Sequence, residues 1–207
     1  MATKMSPERL YLDPENPKNE NEIRHISRYV FASNFISSDD SILDCACGSG
    51  YGSYILSKKS AQVTGCDVSE KSIEYANSNY KKINFLVRNI NSMHYLELEK
   101  YDSFICMETI EHISFAECIA WLNKIAIAIK SSGVFIASSP MLRYKDGKAY
   151  ITNPWHVNEM PREILLYVIN SIFKDFEIKL FHQKEDKFTS LEDEDEGFCI
   201  MVIRKNK

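Results

Sequence analysis

Apolar residues in this chain fall into two kinds of segment, and the two kinds alternate. Short continuous apolar runs, which are typical of buried strands, lie at residues 41–47, 61–66, 83–87, 101–107 and 133–138. Segments with apolar residues three or four positions apart, which predict amphipathic helices, lie at residues 20–37, 52–58, 69–80, 114–130 and 161–172. Strands that alternate with helices favour a mostly parallel sheet with right-handed crossovers.

The C-terminal part of the chain departs from this alternation. Residues 176–181 and 198–204 have strand patterns, but only a polar connection with the acidic run 191–197 lies between them. Without a crossover helix, two such strands pair antiparallel, and we expect them at one edge of the sheet. The predicted fold class is therefore α/β: a seven-stranded, mostly parallel Rossmann-like sheet with helices on both faces and an antiparallel last strand.

Two irregular segments accompany the predicted helices and strands. Residues 1–19 are polar and contain three prolines, so we expect an N-terminal arm or lid ahead of one domain at residues 20–207. Residues 139–160 form a long connection, and long loops in compact domains often carry function. Both segments are therefore candidates for contact with a substrate.

Composition narrows the class of partners. The formal net charge of −4 argues against general nucleic-acid binding, which needs a basic surface. No apolar run approaches the ~20 residues that span a bilayer, and the first residues lack the apolar segment of a signal peptide. We therefore expect a cytoplasmic protein that acts on small molecules without membrane contact, and the sequence leaves its oligomeric state open.

The six cysteines are expected to be reduced and mostly buried thiols. Five of them lie within or at the ends of predicted strands, and Cys118 lies on an apolar helix. Cys45 and Cys47 are close in sequence, but no second pair with matching spacing completes a zinc site. Small side chains that fill a tight strand end account for this pair.

The stretch from Ser41 to Gly52 carries the clearest chemical signal. An apolar strand ends at Asp44 and runs into small residues and glycines that open a helix. Such a turn brings backbone N–H groups and a helix N-terminus close to a ligand. A second strand ends at Asp67, and a glycine-rich turn followed by a downstream acid is how open α/β sheets hold a ribose.

These residues resemble the class I S-adenosylmethionine (SAM)-dependent methyltransferases over residues 20–204. The turn has the pattern D-x-A-x-G-x-G, with Ala46 where the family often has glycine, and Asn89 stands where an acid usually contacts the adenine. A dinucleotide fingerprint is the rival interpretation, but it would need glycine where Ser53 stands. The resemblance implies SAM as cofactor, held by Asp44, Ala46, Gly48, Gly50, Tyr51, Asp67, Val68, Asn89, Ile90 and Met107.

Candidate catalytic residues follow the fourth strand in the run Glu108-Thr-Ile-Glu111-His112, and His156 lies in the long connection. In one interpretation His112 or His156 is a general base, assisted by Glu111. In another, Glu108, Glu111, His112 and His156 bind a divalent metal that polarises the acceptor oxygen. This pattern resembles the metal site of small-RNA 3′-terminal 2′-O-methyltransferases and of ubiquinone-biosynthesis O-methyltransferases. A third interpretation leaves Glu108 in the cofactor pocket and the other two at the start of the next helix.

Further candidates lie on the two segments expected to face the acceptor. They are aromatic and cationic side chains that suit a ring or an anionic group, and they comprise Tyr11, His25, Arg28, Tyr29, Arg143 and Trp155. Ordinary surface residues of a helix and a solvated loop are the alternative explanation for most of them.

The arrangement also resembles small methyltransferases that modify surface-polysaccharide precursors. The stretches that carry this likeness are the run H-x-x-R-Y from His25, the glycine turn, and the run N-P-W-H that ends at His156, together with Glu159. It implies methylation of an oxygen on a sugar, phosphorylated or nucleotide-linked acceptor. A metal-dependent reaction on a quinone-like or other phenolic acceptor is the alternative, and a non-catalytic SAM- or nucleotide-binding protein is the alternative of another class.

Overall fold

The chain folds around one eight-stranded twisted sheet, described by a computed structural model over residues 9–192 and 196–206. Its strands in chain order are β1 (Ser41–Cys45), β2 (Gln62–Asp67), β3 (Asn84–Val87), β4 (Ser103–Met107), β5 (Val134–Pro140), β8 (Phe176–Lys184), β9 (Lys187–Ser190) and β10 (Phe198–Lys205), and a separate hairpin contains β6 (Arg143–Lys145) and β7 (Lys148–Tyr150). The helices are α1 (Glu20–Ser33), α2 (Tyr51–Ser57), α3 (Glu70–Asn79), α4 (Tyr95–Leu98), α5 (Phe115–Ala128) and α6 (Arg162–Ile172).

The spatial order of the sheet is β3-β2-β1-β4-β5-β10-β8-β9. The first five strands in this order are parallel, because α-helical crossovers return the chain to the same edge each time. Their carboxyl ends therefore meet along one edge of the sheet, where ligands bind in open α/β folds. The predicted α/β class, the parallel strands and the crossover helices are confirmed.

The C-terminal strands pair antiparallel, as predicted, and β10 inserts between β5 and β8. The sheet has one more strand than the seven predicted, since β9 pairs with β8 as the outermost strand. This strand has the sequence K-F-T-S, with Phe188 as its only large apolar residue. An edge strand needs little apolar character because much of it faces solvent.

The long connection contains a hairpin that the sequence analysis missed. Strands β6 and β7 join through Asp146 and Gly147, which both have positive φ angles, of 52° and 71°. This conformation belongs to the tight turns of two-residue hairpins, in which Asp-Gly is a favoured pair. The connection closes on itself, because the Leu142 N–H donates to the Met160 carbonyl (2.9 Å).

The helices pack on both faces of the sheet, and α3 and α5 begin at serine caps. The Ser69 hydroxyl accepts the N–H of Ser72 at the start of α3, and Ser114 forms a capping box with Glu117 at the start of α5. Helix α1 is shorter than predicted and ends at Ser33. One core, around Trp121, lies on one face of the sheet, and a second core lies on the other. All six cysteines are buried and free.

The N-terminal arm is ordered on the protein surface over residues 9–19, and residues 1–8 lie outside the described part. Leu12 is buried in the second core, and the Leu10 carbonyl accepts a hydrogen bond from the Ser49 hydroxyl (2.6 Å). The arm therefore crosses the glycine turn. Within the described ranges, no helix is long and apolar enough to cross a membrane.

Candidate active site

A cleft of about 750 Å³ opens at the carboxyl edge of the sheet, between the arm, α1 and the long connection. Its walls contain most of the residues expected around a cofactor and an acceptor. They include Ala46, Gly48, Tyr51, Asp67, Val68, Asn89, Ile90 and Met107 on the cofactor side, and His25, Arg28, Tyr29, Glu108, Glu111, His112, Trp155 and His156 elsewhere.

The turn after β1 forms because three residues adopt the left-handed conformation. Ala46, Gly48 and Gly50 have φ angles of 57°, 55° and 87°. Glycine carries no steric penalty there, whereas Ala46 costs about 1–2 kcal/mol. Gly50 also needs to lack a side chain, since a Cβ would lie 2.8 Å from the Cβ of Ala76. The turn is therefore held against α3, with Gly50 at the N-cap of α2 and outside the cleft wall.

Asp67 lies at the end of β2 and faces the turn. Its carboxylate accepts hydrogen bonds from the N–H groups of Gly48 (3.0 Å) and Ser69 (2.8 Å), and from the guanidinium of Arg9 (2.9 Å). The acid is thus oriented before any ligand arrives. Arg9 also lines the cleft, so the N-terminal arm contributes a cation beside this acid.

Asp44 lies in the protein interior behind the turn and is not part of the cleft wall. Its carboxylate is fully buried and accepts hydrogen bonds from the hydroxyls of Tyr29 (3.2 Å) and Ser53 (2.6 Å). Burial raises the pKa of Asp44 to about 7, against the opposing effect of these two donors. Ser53, which stands where the dinucleotide fingerprint needs glycine, therefore stabilises the buried Asp44 carboxylate through its hydroxyl.

Asn89 uses its side-chain oxygen locally. This oxygen accepts the N–H of Asn91 (2.9 Å) and caps a single 3₁₀ turn, Ile90–Ser92. Asn89, Ile90 and Asn91 line the cleft, as Asp67 does. The loop after β3 thus forms part of the cleft wall, and its contact with the adenine stays a prediction.

Arg28 is the buried cation of the cleft, with 1% of its surface exposed. Its Nε donates to the Gln183 side-chain oxygen (2.6 Å), its Nη1 lies 3.3 Å from Glu108, and its guanidinium lies over the Phe198 ring. Neighbouring His25 is half-buried, and desolvation together with the positive charge of Arg28 lowers its pKa to about 3. Gln183 was missed because it lies 155 positions from Arg28 along the chain.

Glu111, His112 and His156 form a compact cluster at the other end of the cleft, with one candidate ligand atom from each within 4.8 Å of the others. The two imidazole rings are nearly perpendicular, with centroids 4.8 Å apart. Glu111 is fully buried, and its Oε1 has no hydrogen-bond partner among the described residues. Burial, with a further contribution from Glu108, raises the pKa of Glu111 well above its usual range.

Glu108 does not join this cluster, although it was predicted with the three ligands. It has a positive φ of 49°, and its carboxylate accepts the Ser138 hydroxyl (2.6 Å) and faces Arg28. The segment after Glu108 is a short 3₁₀ turn, Ile110–His112. The Glu108 carboxylate is held by Ser138 and Arg28 and supplies no ligand atom to the cluster.

Two predicted acceptor contacts lie outside the cleft wall. Tyr11 packs against Tyr75 and contacts the Ser72 hydroxyl (3.2 Å). Arg143 lies on the hairpin and donates to Thr152 (3.3 Å). Trp155, by contrast, lines the cleft and is 56% exposed, so its indole is available at the entrance.

A family described as "Methyltransferase domain" matches residues 36–193 of the chain. Among curated relatives, the ubiquinone biosynthesis O-methyltransferase of Rickettsia bellii is 28% identical over 192 residues, covering 82% of this chain and 77% of the relative. A probable S-adenosylmethionine-dependent methyltransferase of Mycobacterium tuberculosis is 24% identical and covers 68% of this chain and 52% of the relative.

Solved structures share the fold. The plantazolicin methyltransferase BpumL, in complex with S-adenosylhomocysteine (SAH), is 19% identical with a TM-score of 0.67, covering 88% of this chain and 84% of that one. The small RNA methyltransferase HEN1 is 18% identical with a TM-score of 0.69, covering 88% of this chain but 26% of that one. With a glycine turn, an oriented acid at Asp67 and a family match over three quarters of its length, the chain belongs to the class I methyltransferases and uses SAM as its cofactor.

Proposed function

We propose that this methyltransferase transfers its methyl group to an oxygen of a small acceptor, at the end of the cleft formed by Glu111, His112 and His156. The observation that carries this proposal is the convergence of one buried carboxylate and two imidazoles at that end. Transfer forms an acceptor O–CH₃ bond, breaks the S–CH₃ bond of SAM and leaves SAH. A hydroxyl acceptor must also lose its proton, and an imidazole is suited to receive it near neutral pH.

The donor set also fits a divalent metal ion. The unpartnered Oε1 of Glu111 is a buried carboxylate oxygen that needs a cation or a proton. Two imidazoles and a carboxylate suit transition metals and Zn²⁺. A bound ion would supply Lewis-acid polarisation of the acceptor oxygen, and we assign its ligands to Glu111, His112 and His156.

For the acceptor, we propose a sugar-type, phosphorylated or nucleotide-linked precursor of surface polysaccharide. The exposed indole of Trp155 at the cleft entrance offers an apolar face for a sugar or base ring. The remaining wall at this end is mostly polar, with Asn153, Glu117 and His112. A phenolic, quinone-like acceptor is the second candidate, because the Rickettsia relative is a ubiquinone biosynthesis O-methyltransferase.

The test measures methyl transfer from radiolabelled SAM to two acceptor panels, one of sugar phosphates and nucleotide sugars and one of catechols. We expect turnover with the first panel, loss of turnover in His156→Ala, and unchanged SAH affinity in that variant. If only the catechols were methylated, the acceptor would be phenolic and the sugar-type proposal would be wrong. Full turnover in excess EDTA would show that the reaction needs no metal ion. SAM binding without turnover on either panel would favour a non-catalytic binding protein.

A further inference from the structure

Glu159 contacts His156 directly and lies outside the cluster of Glu111, His112 and His156. Its Oε1 lies 2.5 Å from Nδ1 of His156, three residues earlier in the chain. The glutamate side chain is only 1% exposed and the histidine side chain 13%. A contact this short between buried groups holds the ring in one orientation.

The loop around this pair is anchored to the cluster by backbone bonds. The Glu111 carbonyl accepts the N–H groups of both Val157 (2.8 Å) and Asn158 (3.0 Å). The Asn158 side chain donates to the neighbouring Ile110 carbonyl (3.3 Å). The backbone of Glu111 thus holds the loop, while its carboxylate faces the two histidines.

A carboxylate beside Nδ1 determines which nitrogen of a neutral imidazole carries the proton. A deprotonated glutamate can only accept, so Nδ1 is the donor and Nε2 keeps its lone pair. The lone pair on Nε2 is what a metal ligand or a general base needs. The second oxygen of Glu159 is buried and has no partner within the described part of the chain, so the carboxylate has no competing hydrogen bond there.

We propose that Glu159 is a positioning residue, which holds His156 in the Nδ1–H tautomer and presents Nε2 to Glu111 and His112. The inference rests on the proposed function, because it assigns a purpose to the His156 ring in that site. It adds a residue that acts through His156 without touching the acceptor or SAM.

The first measurement is independent of metal and of turnover. In protein labelled with ¹⁵N-histidine, long-range ¹H–¹⁵N correlation distinguishes the two neutral tautomers at about pH 8.5, above the ordinary histidine pKa. We expect the Nδ1–H tautomer for His156 in the wild type and in Glu159→Gln, whose amide oxygen still accepts. Glu159→Ala should shift His156 towards the Nε2–H tautomer. His156→Gln assigns the signal.

The second measurement is calorimetric titration of each protein with Mn²⁺ alone. Loss of a carboxylate that orients a metal-binding histidine typically weakens affinity by 10–100-fold, and we expect this for Glu159→Ala with a smaller loss for Glu159→Gln. Glu74→Gln changes the net charge equally on an exposed face of α3 and serves as the matched control. SAH affinity should stay unchanged in all three variants.

The outcomes separate the two proposals. An Nε2–H tautomer in the wild type, or a tautomer that does not respond to Glu159→Ala, overturns the role of Glu159. Absence of Mn²⁺ binding in the wild type, with the expected tautomer shift, removes the metal from the proposed function but supports the positioning role. If Glu159→Ala does not fold, the wild-type tautomer and the Mn²⁺ affinity of Glu159→Gln still decide, because an Nε2–H tautomer in the wild type or an unchanged Mn²⁺ affinity in Glu159→Gln overturns the role.

Discussion

At the scale of single residues, Gly52 ties the cofactor turn to α1. A Cβ at this position would lie 2.1 Å from Cζ of Tyr29, within the ring that donates to Asp44. The absence of a side chain is therefore needed for the packing of Tyr29, although Gly52 itself lies in a helix where alanine is intrinsically better.

We expect Gly52→Ala to lower the free energy of unfolding by about 1–3 kcal/mol, the usual cost of overpacking. Urea denaturation measures the change. Adding Tyr29→Leu should relieve the collision, so the double variant should lose less than the sum of the two single changes. Strict additivity would contradict the packing argument.

The half-buried His25 and the fully buried Asp44 give two opposite dependences of stability on pH. The folded pKa of His25, about 3, is below its ordinary value of 6.5, so its contribution is present above pH 6.5 and is lost as pH falls. The folded pKa of Asp44, about 7, is above 3.8, so its contribution is present below pH 3.8 and is lost as pH rises to about 7.

The wild type should lose free energy of unfolding on acidification because His25 protonates more readily in the unfolded chain. The variant His25→Gln lacks this group and should not show that loss. We expect the wild type to lose stability relative to His25→Gln as pH falls from 7 towards 5, with a slope of at most about 1.4 kcal/mol per pH unit. Unfolding in urea at several pH values gives this difference directly. A difference that is constant with pH would show that His25 protonates equally well in both states.

At the scale of elements, the hairpin of β6 and β7 is separable from the main sheet. Among the strands in residues 9–192 and 196–206, β6 and β7 pair only with each other. The hydrogen bond between Leu142 and Met160 closes the connection at the base of the hairpin. Loop-closure entropy changes slowly with length, by about 0.6 kcal/mol for each doubling. The hairpin can therefore be shortened without altering the strands that hold the cofactor.

Replacing residues 143–150 by a short Gly-Ser turn should leave SAH affinity and the unfolding midpoint close to those of the wild type. If the hairpin meets the acceptor, as predicted for Arg143, the KM for the acceptor should rise. Loss of SAH binding in the hairpin variant would contradict its independence.

The limits of sequence analysis follow from how far apart the interacting residues lie. The glycine turn and its strand are contiguous, so their pattern was visible, and Asp67 follows from the next strand end. The contact between Arg28 and Gln183 depends on β8 passing α1 and has no local signal. Glu108 was misplaced for a different reason, since a left-handed φ at a glutamate runs against its intrinsic preference.

At the scale of the whole molecule, the cofactor should stabilise the fold by mass action. A ligand that binds only the folded state at 100 times its Kd adds about 2.7 kcal/mol. For a chain of this size each kcal/mol raises Tm by about 2–4 °C, so we expect a rise of roughly 5–10 °C with SAH.

Thermal unfolding with SAH, with NADH and without ligand measures the rise in Tm that each ligand causes. It therefore tests the expected rise with SAH and compares SAM-type binding with dinucleotide binding. Asp67→Asn should reduce the SAH-induced rise, because the amide cannot accept from Gly48, Ser69 and a ribose hydroxyl as the carboxylate does. A rise with NADH that equals the rise with SAH would favour a dinucleotide instead.

The position of β10 also has a consequence for how the chain is made. This strand is the last of the sheet to be synthesised, yet it lies between β5 and β8 and carries the fully buried Ile200, Met201 and Ile203. Until the ribosome has released residue 205, both neighbouring edges remain open and able to pair with other chains. A nascent chain of this methyltransferase is thus most exposed to aggregation between the synthesis of β8 and that of β10, when its cofactor turn is already complete.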